Sequence, residues 1–238
     1  MKHNQWISIS DMMAGIMMIF LLIMVSFMLI TQKTQEDLKI HNQKLLELNQ
    51  AMSEIAKNYS NLQQELYEAL LKEFSKDLKR WDAQIDEDNT IRFNEPEVLF
   101  DTGAAQVKKR FQDILNDFFP RYVKILSLPK FQDNIEEVRI EGHTSQSWYV
   151  AHTLEERYLG NAELSQARAL EVLKYCFNLK SINNYKEWLI KVFRANGLSF
   201  AKPLEDDDKS RRVEFRVVTK ANKDLLRILE ISKDFEIK

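Results

Sequence analysis

An unbroken apolar run dominates the first thirty residues. From Met12 to Ile30 the chain reads MMAGIMMIFLLIMVSFMLI, which is 19 residues without a charged side chain. Counted from Ile7 the stretch has 24 residues, and at ~1.5 Å per residue such a helix spans ~36 Å, enough to cross a bilayer. A cleavable signal peptide has a shorter apolar core and a small-residue cleavage motif, and neither is present. The pattern therefore predicts a transmembrane helix.

Residues 34–90 contain no proline or glycine, and their apolar side chains recur with a period of seven. The a positions are Leu38, Leu45, Met52, Tyr59 and Leu66, and the d positions are His41, Leu48, Ile55, Leu62 and Ala69. This pattern favours a coiled coil, and a parallel homodimer is the economical interpretation because adjacent membrane helices would start the coil in register. The apolar stripe then shifts, as if the helix now packs on a domain, to Leu70, Phe74, Leu78, Trp81 and Ile85.

Beyond residue 88, short alternating segments are interspersed with helical ones. Strands are predicted at Thr90–Phe93, Val98–Phe100, Val138–Glu141 and Arg212–Val218, and helices at Ala104–Phe119, Ala162–Phe177, Trp188–Phe193 and Asn222–Ile231. Pro120 is expected to end the first of these helices. The mixture predicts an α/β sandwich. We expect three parts: a cytoplasmic tip and membrane helix over 1–32, a helical coiled-coil linker over 33–88, and an α/β domain over 89–238.

Composition narrows the function classes. With 34 basic and 36 acidic side chains among 238 residues, the chain lacks the positive charge of a nucleic-acid-binding protein. The single cysteine, Cys176, excludes an internal disulfide, and no Cys/His cluster has zinc spacing. No arrangement of Ser, His, Asp or Cys suggests a hydrolase, and no glycine-rich loop suggests a phosphate site. We therefore expect no enzyme activity, no cofactor and no metal.

Asp11 is the one carboxylate at the membrane segment. An ionised Asp at mid-membrane costs about 2.5–3.5 kcal/mol, which makes such residues rare. Helical spacing puts it on one stripe with Ser8, Gly15, Met18, Leu22 and Ser26, which collects most of the small or polar side chains of the span. Such a stripe is typical of packing against other helices. Two interpretations stay open, a protonatable site facing a partner and a capping box with Ser8 as the N-cap; intramembrane base rates favour the first.

Four motifs in the last part of the chain occur in a recognisable order. They are Val98-Leu-Phe-Asp-Thr-Gly-Ala-Ala105, Ile140-Glu-Gly-His-Thr144, the helix Asn161-x-x-Leu-Ser-x-x-Arg-Ala169, and Arg211-Arg-Val-Glu214. The series resembles an OmpA-like peptidoglycan-binding domain. In that family the Gly-His-Thr strand and the helix border a groove for the peptide stem of the cell wall. The resemblance implies contacts with the stem from Thr144, Ser145, Asn161, Leu164 and Arg168.

Arg168 matches the family arginine that would hold the diaminopimelate carboxylate through paired, charged hydrogen bonds. Ser145 departs from the family, which usually has an Asp there to meet the ammonium group of the ligand. The departure implies a weaker or differently shaped contact. The alternative for Arg168 is a solvated helix residue that pairs with Glu171 or Glu163. Likewise, the arginines at 211 and 212 would then only balance the acidic run at 206–208.

The layout of the whole chain resembles the MotB stator family, and Asp11-Met-Met-Ala-Gly-x-Met-Met-x-Phe20 is closer still to the ZorB family of Zorya anti-phage defence. Lysine counts do not orient the helix. The resemblance implies a cytoplasmic N-terminus, a periplasmic C-terminal domain, and inner-membrane location. It also implies a homodimer inside a pentameric ring of MotA/ZorA-type subunits, protons carried by Asp11, and cytosolic defence effectors acting downstream. A flagellar stator and a passive cell-wall tether without ion flux remain as alternatives.

Overall fold

The computed structural model describes residues 3–94, 96–147 and 153–220. The chain divides into two compact units, with the boundary after Glu54. The first helix, α1, runs over His3–Trp81, so its residues up to Glu54 belong to the first unit and the others to the second. The predicted helix at Asn222–Ile231 lies outside the described residues.

The membrane-spanning segment lies in the first unit. The large apolar side chains between Met12 and Ile30 are 47 to 70 % exposed. Within the described part of the chain this is the one helix long and apolar enough to cross a membrane. Apolar side chains exposed on every side of a helix are typical of a surface that meets lipid rather than water. The predicted transmembrane segment is confirmed by these features.

The last third of α1 is part of the core of the second unit. Leu70, Phe74 and Trp81 are at most 4 % exposed, which confirms the predicted stripe up to the end of the helix. Its last member, Ile85, lies in a strand instead, so the prediction of a helical linker up to residue 88 is wrong beyond Trp81. Leu66, predicted as an a position of the coiled coil, is only 2 % exposed and packs within the same core. The helix therefore turns its apolar face to its own domain one turn earlier than the heptads indicate. Leu38 is 54 % exposed, and the coiled coil at such earlier positions stays a prediction.

The second unit contains one five-stranded sheet with helices packed on it. The strands are β1 Ala83–Ile85, β2 Ile91–Phe93, β3 Ile135–Gly142, β4 Phe193–Gly197 and β5 Val213–Thr219. Their spatial order is β1-β2-β5-β3-β4; only β3 and β4 pair in parallel. The helices are α2 Pro96–Leu99, α3 Lys109–Leu126, α4 Pro129–Gln132, α5 Leu154–Phe177, α6 Lys186–Val192 and α7 Asp207–Ser210, with a 3-10 helix at Lys180–Tyr185. The α/β fold expected from the sequence is confirmed.

Several other element predictions were wrong. The segment Val98–Phe100 is not a strand, because Val98 and Leu99 close the short helix α2 and all three apolar side chains are buried. An apolar run as short as this fits a buried strand and a buried helical turn equally well, so the sequence alone does not distinguish the two. Helix α3 starts at Lys109 and passes through Pro120 to Leu126, since buried aromatic side chains on both sides of the proline hold the turn together. Strand β4 begins at Phe193, the predicted end of a helix, and continues to Gly197 through residues for which no element was predicted.

Phe118 of α3 is the centre of the aromatic core. Its ring lies 5.2 Å from Phe74, 5.3 Å from Phe93 and 5.0 Å from Phe215, measured between centroids. These three rings come from α1, β2 and β5. Contacts of this kind contribute about 0.5–1.5 kcal/mol each beyond the burial of area. One side chain therefore ties the end of α1 to the sheet.

Arg121 fastens the same two helices at the surface. Its Nε donates to Glu73 at 2.7 Å, and its Nη1 donates to Asp77 at 2.9 Å and Asp117 at 3.1 Å. The guanidinium also lies over the Phe74 ring, 4.9 Å from its centroid. Burial opposes the charge, but the three carboxylates outweigh it and raise the pKa of Arg121 above its usual value.

Replacing Phe74 with alanine should lower the free energy of unfolding of the domain by about 3–5 kcal/mol, because a large buried ring leaves a cavity. The measurement is denaturant unfolding of the detergent-solubilised chain, followed by tryptophan fluorescence. Leu46→Ala is the matched control, since Leu46 lies on the same helix and is 61 % exposed. Equal stability of the two variants would contradict the inclusion of α1 in this core.

Candidate functional site

Two glycines allow α5 to lie directly on the ends of β3 and β4. A Cβ atom on Gly142 would come within 2.3 Å of the Ser165 carbonyl oxygen, and one on Gly197 within 2.4 Å of the Gln166 nitrogen. Gln166 secures the contact: its Nε2 donates to the Ala195 carbonyl at 3.1 Å, and its Oε1 accepts from the Gly197 N–H at 2.7 Å. The helix backbone is thus fixed against the sheet at the point where the Gly-His-Thr segment leaves it.

The chain after β3 is held by backbone and hydroxyl contacts. The Thr144 N–H donates to the Ser199 carbonyl at 2.9 Å, and the Ser199 N–H donates to the Ser165 hydroxyl at 3.0 Å. Ser199 adopts a φ of +50°, a strained conformation for a non-glycine residue. Thr144 and Ser145 are each 3 % exposed. The segment is therefore rigid and faces α5.

Among the residues that the structure describes, several buried polar atoms in this region have no hydrogen-bond partner. The Thr144 Oγ1 and the Asn161 Nδ2 are two of them, on residues that are at most 3 % exposed, and Glu141 and His143 hold the others. Unsatisfied buried polar atoms are uncommon in native proteins, because each costs about 1–3 kcal/mol. Leu164, the apolar residue of the same helix motif, is partly buried. The arrangement leaves hydrogen-bonding capacity at the site.

Arg168 is a buried guanidinium that has no counter-charge in the described part of the chain. Its Nε donates to the Ala104 carbonyl at 2.9 Å, its Nη2 donates to the Asp101 carbonyl at 3.3 Å, and the group lies 4.9 Å from the Phe100 ring centroid. Among the residues that the structure describes, no carboxylate lies within ion-pair distance of it. Burial, and secondarily the charge of Arg211, lower the pKa of Arg168 to about 10, so the group is still protonated at neutral pH.

The alternative for Arg168, a solvated residue paired with a glutamate on its own helix, is wrong. The side chain is 8 % exposed, and Glu171 pairs with Lys174 at 2.7 Å instead. Guanidinium groups present up to five donors in a planar fork that matches a carboxylate. With two donors used on backbone carbonyls, Arg168 can still bind an anion.

By contrast, Glu214 of β5 is a buried carboxylate with several cationic neighbours. Its Oε1 accepts from the Arg92 Nε at 2.8 Å and the Arg212 Nε at 2.6 Å. The His143 Nε2 lies 3.2 Å from Oε2, close enough for an ion pair but not aligned for a hydrogen bond. Burial disfavours the charged form, yet the contacts with His143 and Arg212 outweigh it and hold the pKa of Glu214 well below its usual range.

Glu141 lies directly opposite Glu214 on the neighbouring strand. The ligand atoms of Glu141, His143 and Glu214 lie within 4.8 Å of one another, a spacing that a metal ion could bridge. The two arginines already neutralise Glu214, and Lys202 reaches to 3.9 Å from the Glu141 Oε2. A divalent cation would add positive charge to a buried cluster whose carboxylates are already neutralised by these basic side chains. We therefore interpret the cluster as a structural ion-pair network that supports the residues 143–145 after β3, which we call the Thr144 segment.

Residues 99–214 match the model of the OmpA family. The chain is also 40 % identical to the Zorya protein ZorB of Escherichia coli over 235 residues, which cover 96 % of this chain and 93 % of that protein. The chain belongs to the ZorB family.

Solved structures with the same kind of domain resemble the ZorB-family chain more distantly. The periplasmic domain of Helicobacter pylori MotB is 20 % identical, with a TM-score of 0.45, and covers 63 % of this chain and 88 % of that one. The cell wall anchor of the type VI secretion system of Pseudomonas aeruginosa is 22 % identical, with a TM-score of 0.42, over 63 % of this chain and 96 % of that one.

Asp11 belongs to the other unit and is described separately. Its side chain is exposed on the apolar part of α1. The helix begins at His3, five residues before Ser8, so Ser8 lies inside the helix and is not an N-cap. The capping-box alternative is therefore wrong. A carboxylate that is not needed to begin a helix requires another explanation.

Several residues that build the site were not predicted as parts of it. Arg92 belongs to none of the four sequence motifs, and nothing in the sequence indicates the left-handed conformation of Ser199. The alternative in which both arginines balance the acidic run at 206–208 is wrong for Arg212, which is bound to Glu214, and right for Arg211, which pairs with Asp208. Only the alternation of β5 could have indicated that Arg212 and Glu214 share a face.

Glu214→Gln should destabilise the domain by about 3–5 kcal/mol at pH 7, because two buried guanidinium groups lose their counter-charge. Since the pKa of Glu214 is depressed in the folded state, its contribution is present above the usual glutamate pKa of about 4.3 and is lost as pH falls below it. Unfolding curves of wild type and variant should therefore converge in acid. The exposed Glu171→Gln is the control. A wild-type to Glu214→Gln gap that does not change with pH would contradict this assignment.

Proposed function

We propose that this chain is the peptidoglycan-anchored stator subunit of an inner-membrane motor of the Zorya type, in which Asp11 carries protons. Membership of the ZorB family supports the motor assignment. The observation that carries the anchoring role is the buried, charged Arg168 without a carboxylate partner among the described residues. The role is mechanical, and no catalytic step belongs to it.

In this proposal the carboxylate of a peptidoglycan stem pairs with Arg168. A bidentate contact would use donors that the two backbone carbonyls leave open. The unpaired Thr144 Oγ1 and Asn161 Nδ2 would add hydrogen bonds to the peptide, and Leu164 would contact its apolar part. Ser145 offers a hydroxyl where a carboxylate would meet an ammonium group, so the carboxylate end of the stem provides most of the affinity.

Asp11 would drive the motor through its change of charge. An ionised carboxylate prefers polar surroundings and a protonated one tolerates apolar surroundings, so each proton changes which contacts the helix prefers. A membrane potential supplies about 2.3 kcal/mol per charge per 100 mV. Loading from the periplasm and release to the cytoplasm would turn a pentameric ring of MotA/ZorA-type subunits around a homodimer of this chain.

This assembly requires a cytoplasmic N-terminus and a periplasmic domain that holds the cell wall. Cytosolic effectors of the defence system would then act downstream of the motor. A flagellar stator is the second candidate, supported by the MotB-like layout of one apolar helix before an OmpA-family domain. The 40 % identity to ZorB across nearly the whole chain favours defence.

Arg168→Gln should release the full-length chain from purified sacculi, with a loss of binding of about tenfold or more, because a charged hydrogen bond of this kind contributes about 1.5–3 kcal/mol. Co-sedimentation of detergent-solubilised protein with sacculi measures it. Lys174→Gln removes an exposed cation from the same helix and serves as the control. Retention of Arg168→Gln at the wild-type level would refute the anchoring role of this residue.

Asp11→Asn should abolish protection against phage in cells that carry the native operon, because asparagine cannot take up or release a proton. Plating efficiency measures protection, at membrane protein levels matched between strains. Asp11→Glu retains an ionisable group and should keep part of the protection. Full protection by Asp11→Asn would point to a passive tether, and absence of protection by wild type would point to the flagellar role, which a swimming assay then tests.

A further inference from the structure

A short acidic turn that carries an arginine lies beside the segment that follows β3. We define the acidic turn as Asp206–Arg211, the segment that contains α7 and leads into β5. Since β5 begins at Val213, opposite Gly142 of β3, the acidic turn lies at the sheet edge where the Thr144 segment begins. The His143 N–H donates to the Arg212 carbonyl at 3.0 Å, which joins the two segments directly.

The backbone of the acidic turn is fixed by buried groups. The Ser210 side chain, which is fully buried, accepts from the Leu204 N–H at 2.9 Å and donates to the Asp206 carbonyl at 3.0 Å. Arg212 is also buried and donates to the Ser210 carbonyl at 3.3 Å. The acidic turn therefore positions Arg211 independently of the exposed side chains around it.

The second end of the acidic turn contacts the chain beyond Ser145. The Ser147 hydroxyl donates to the Asp207 carboxylate at 3.4 Å. The acidic turn thus contacts the residues on both sides of Thr144 and Ser145, at the end of β3 where α5, the helix that carries Arg168, lies against Gly142. After burial, the charge of Arg211 is the second cause of the lowered pKa of Arg168.

In the free protein Arg211 is paired with Asp208, three residues before it. The side chain of Asp208 is 71 % exposed and that of Arg211 is 36 % exposed. Exposed ion pairs of this type are weak, so an incoming carboxylate can replace Asp208 at little cost. Asp208 has no second role in the turn, since the cap of α7 is made by the Asp206 side chain accepting from the Asp208 N–H.

We propose that Arg211 is the second anion-binding residue of the site and that Asp208 competes with the ligand for it. The inference rests on the proposed peptidoglycan-binding function. The ligand class is a peptide end that bears a carboxylate, bound between Arg168 and Arg211. The two partners of one ion pair then have opposite effects on binding, which a purely structural pair would not have.

The test is a set of variants of the full-length, detergent-solubilised chain, titrated with a soluble stem tripeptide that ends in diaminopimelate. Arg211→Gln should weaken binding by about three- to tenfold, as expected for loss of one charged hydrogen bond. Asp208→Asn should tighten it by about two- to fivefold, the competition expected from an exposed ion pair. Its affinity should also fall more steeply with salt than that of the wild type.

Two controls separate competition from a general charge effect. Glu205→Gln removes the same charge from an exposed side chain beside the acidic turn and should leave the affinity unchanged. Asp208→Asn in the Arg211→Gln background should bind like Arg211→Gln alone, because Asp208 then has no arginine to withhold. Tightening in that background, or in Glu205→Gln to the same extent, overturns the proposal.

Failure of this inference differs from failure of the proposed function. If wild type binds the tripeptide and Arg168→Gln does not, while Arg211→Gln binds like wild type, only the role of Arg211 is refuted. Weaker binding by Asp208→Asn also refutes it, since Asp208 would then contact the ligand itself. If the wild type binds neither tripeptide nor sacculi, both proposals fall.

Discussion

The close approach of α5 to the end of β3 is the constraint on which the site depends. There is no room for a side chain at Gly142, because a Cβ atom would lie 2.3 Å from the Ser165 carbonyl oxygen. With the helix this close to the strand, the Ser165 hydroxyl accepts a hydrogen bond from the Ser199 N–H, and the Ser199 carbonyl accepts one from the Thr144 N–H. If the helix moved away by the width of a methyl group, the hydrogen bond from Ser199 to Ser165 would break, and Ser199 would lose the contact that positions it beside Thr144.

The buried charges of the second unit are of two kinds, one compensated by neighbouring charges and one not. Glu214 is surrounded by Arg92, Arg212 and His143, so its charge is compensated within the fold and its removal affects stability. Arg168 contacts two backbone carbonyls and an aromatic ring, and none of the described carboxylates lies within ion-pair distance of it. Because a buried charge without a partner is costly, the first arrangement is what a fold requires, and the second is typical of a site that awaits a ligand.

Much of the fold could be predicted from the sequence, and each prediction that was wrong has a physical reason. The apolar run and the stripe around Phe74 were predictable because burial repeats at the helical period. The strand predicted at Val98–Phe100 and the helix end predicted at Pro120 were wrong, because tertiary packing of neighbouring aromatics outweighed local preference. The partners of Glu214 could not be predicted, since Arg92 lies 122 residues away along the chain and only the register of β2 with β5 brings the two together.

An anchor and an ion carrier place opposite demands on their charged groups. In the proposed motor, Asp11 is the carrier and must gain and lose its proton in each cycle. The anchor must hold its ligand through every such cycle, whatever the local proton concentration. Burial lowers the pKa of Arg168, but only to about 10, so the guanidinium stays charged at physiological pH. A buried lysine can shift its pKa by several units and lose its charge. The choice of arginine therefore lets this domain bury a cation deeply, leave it without a carboxylate of its own, and still present a constant positive charge to the ligand.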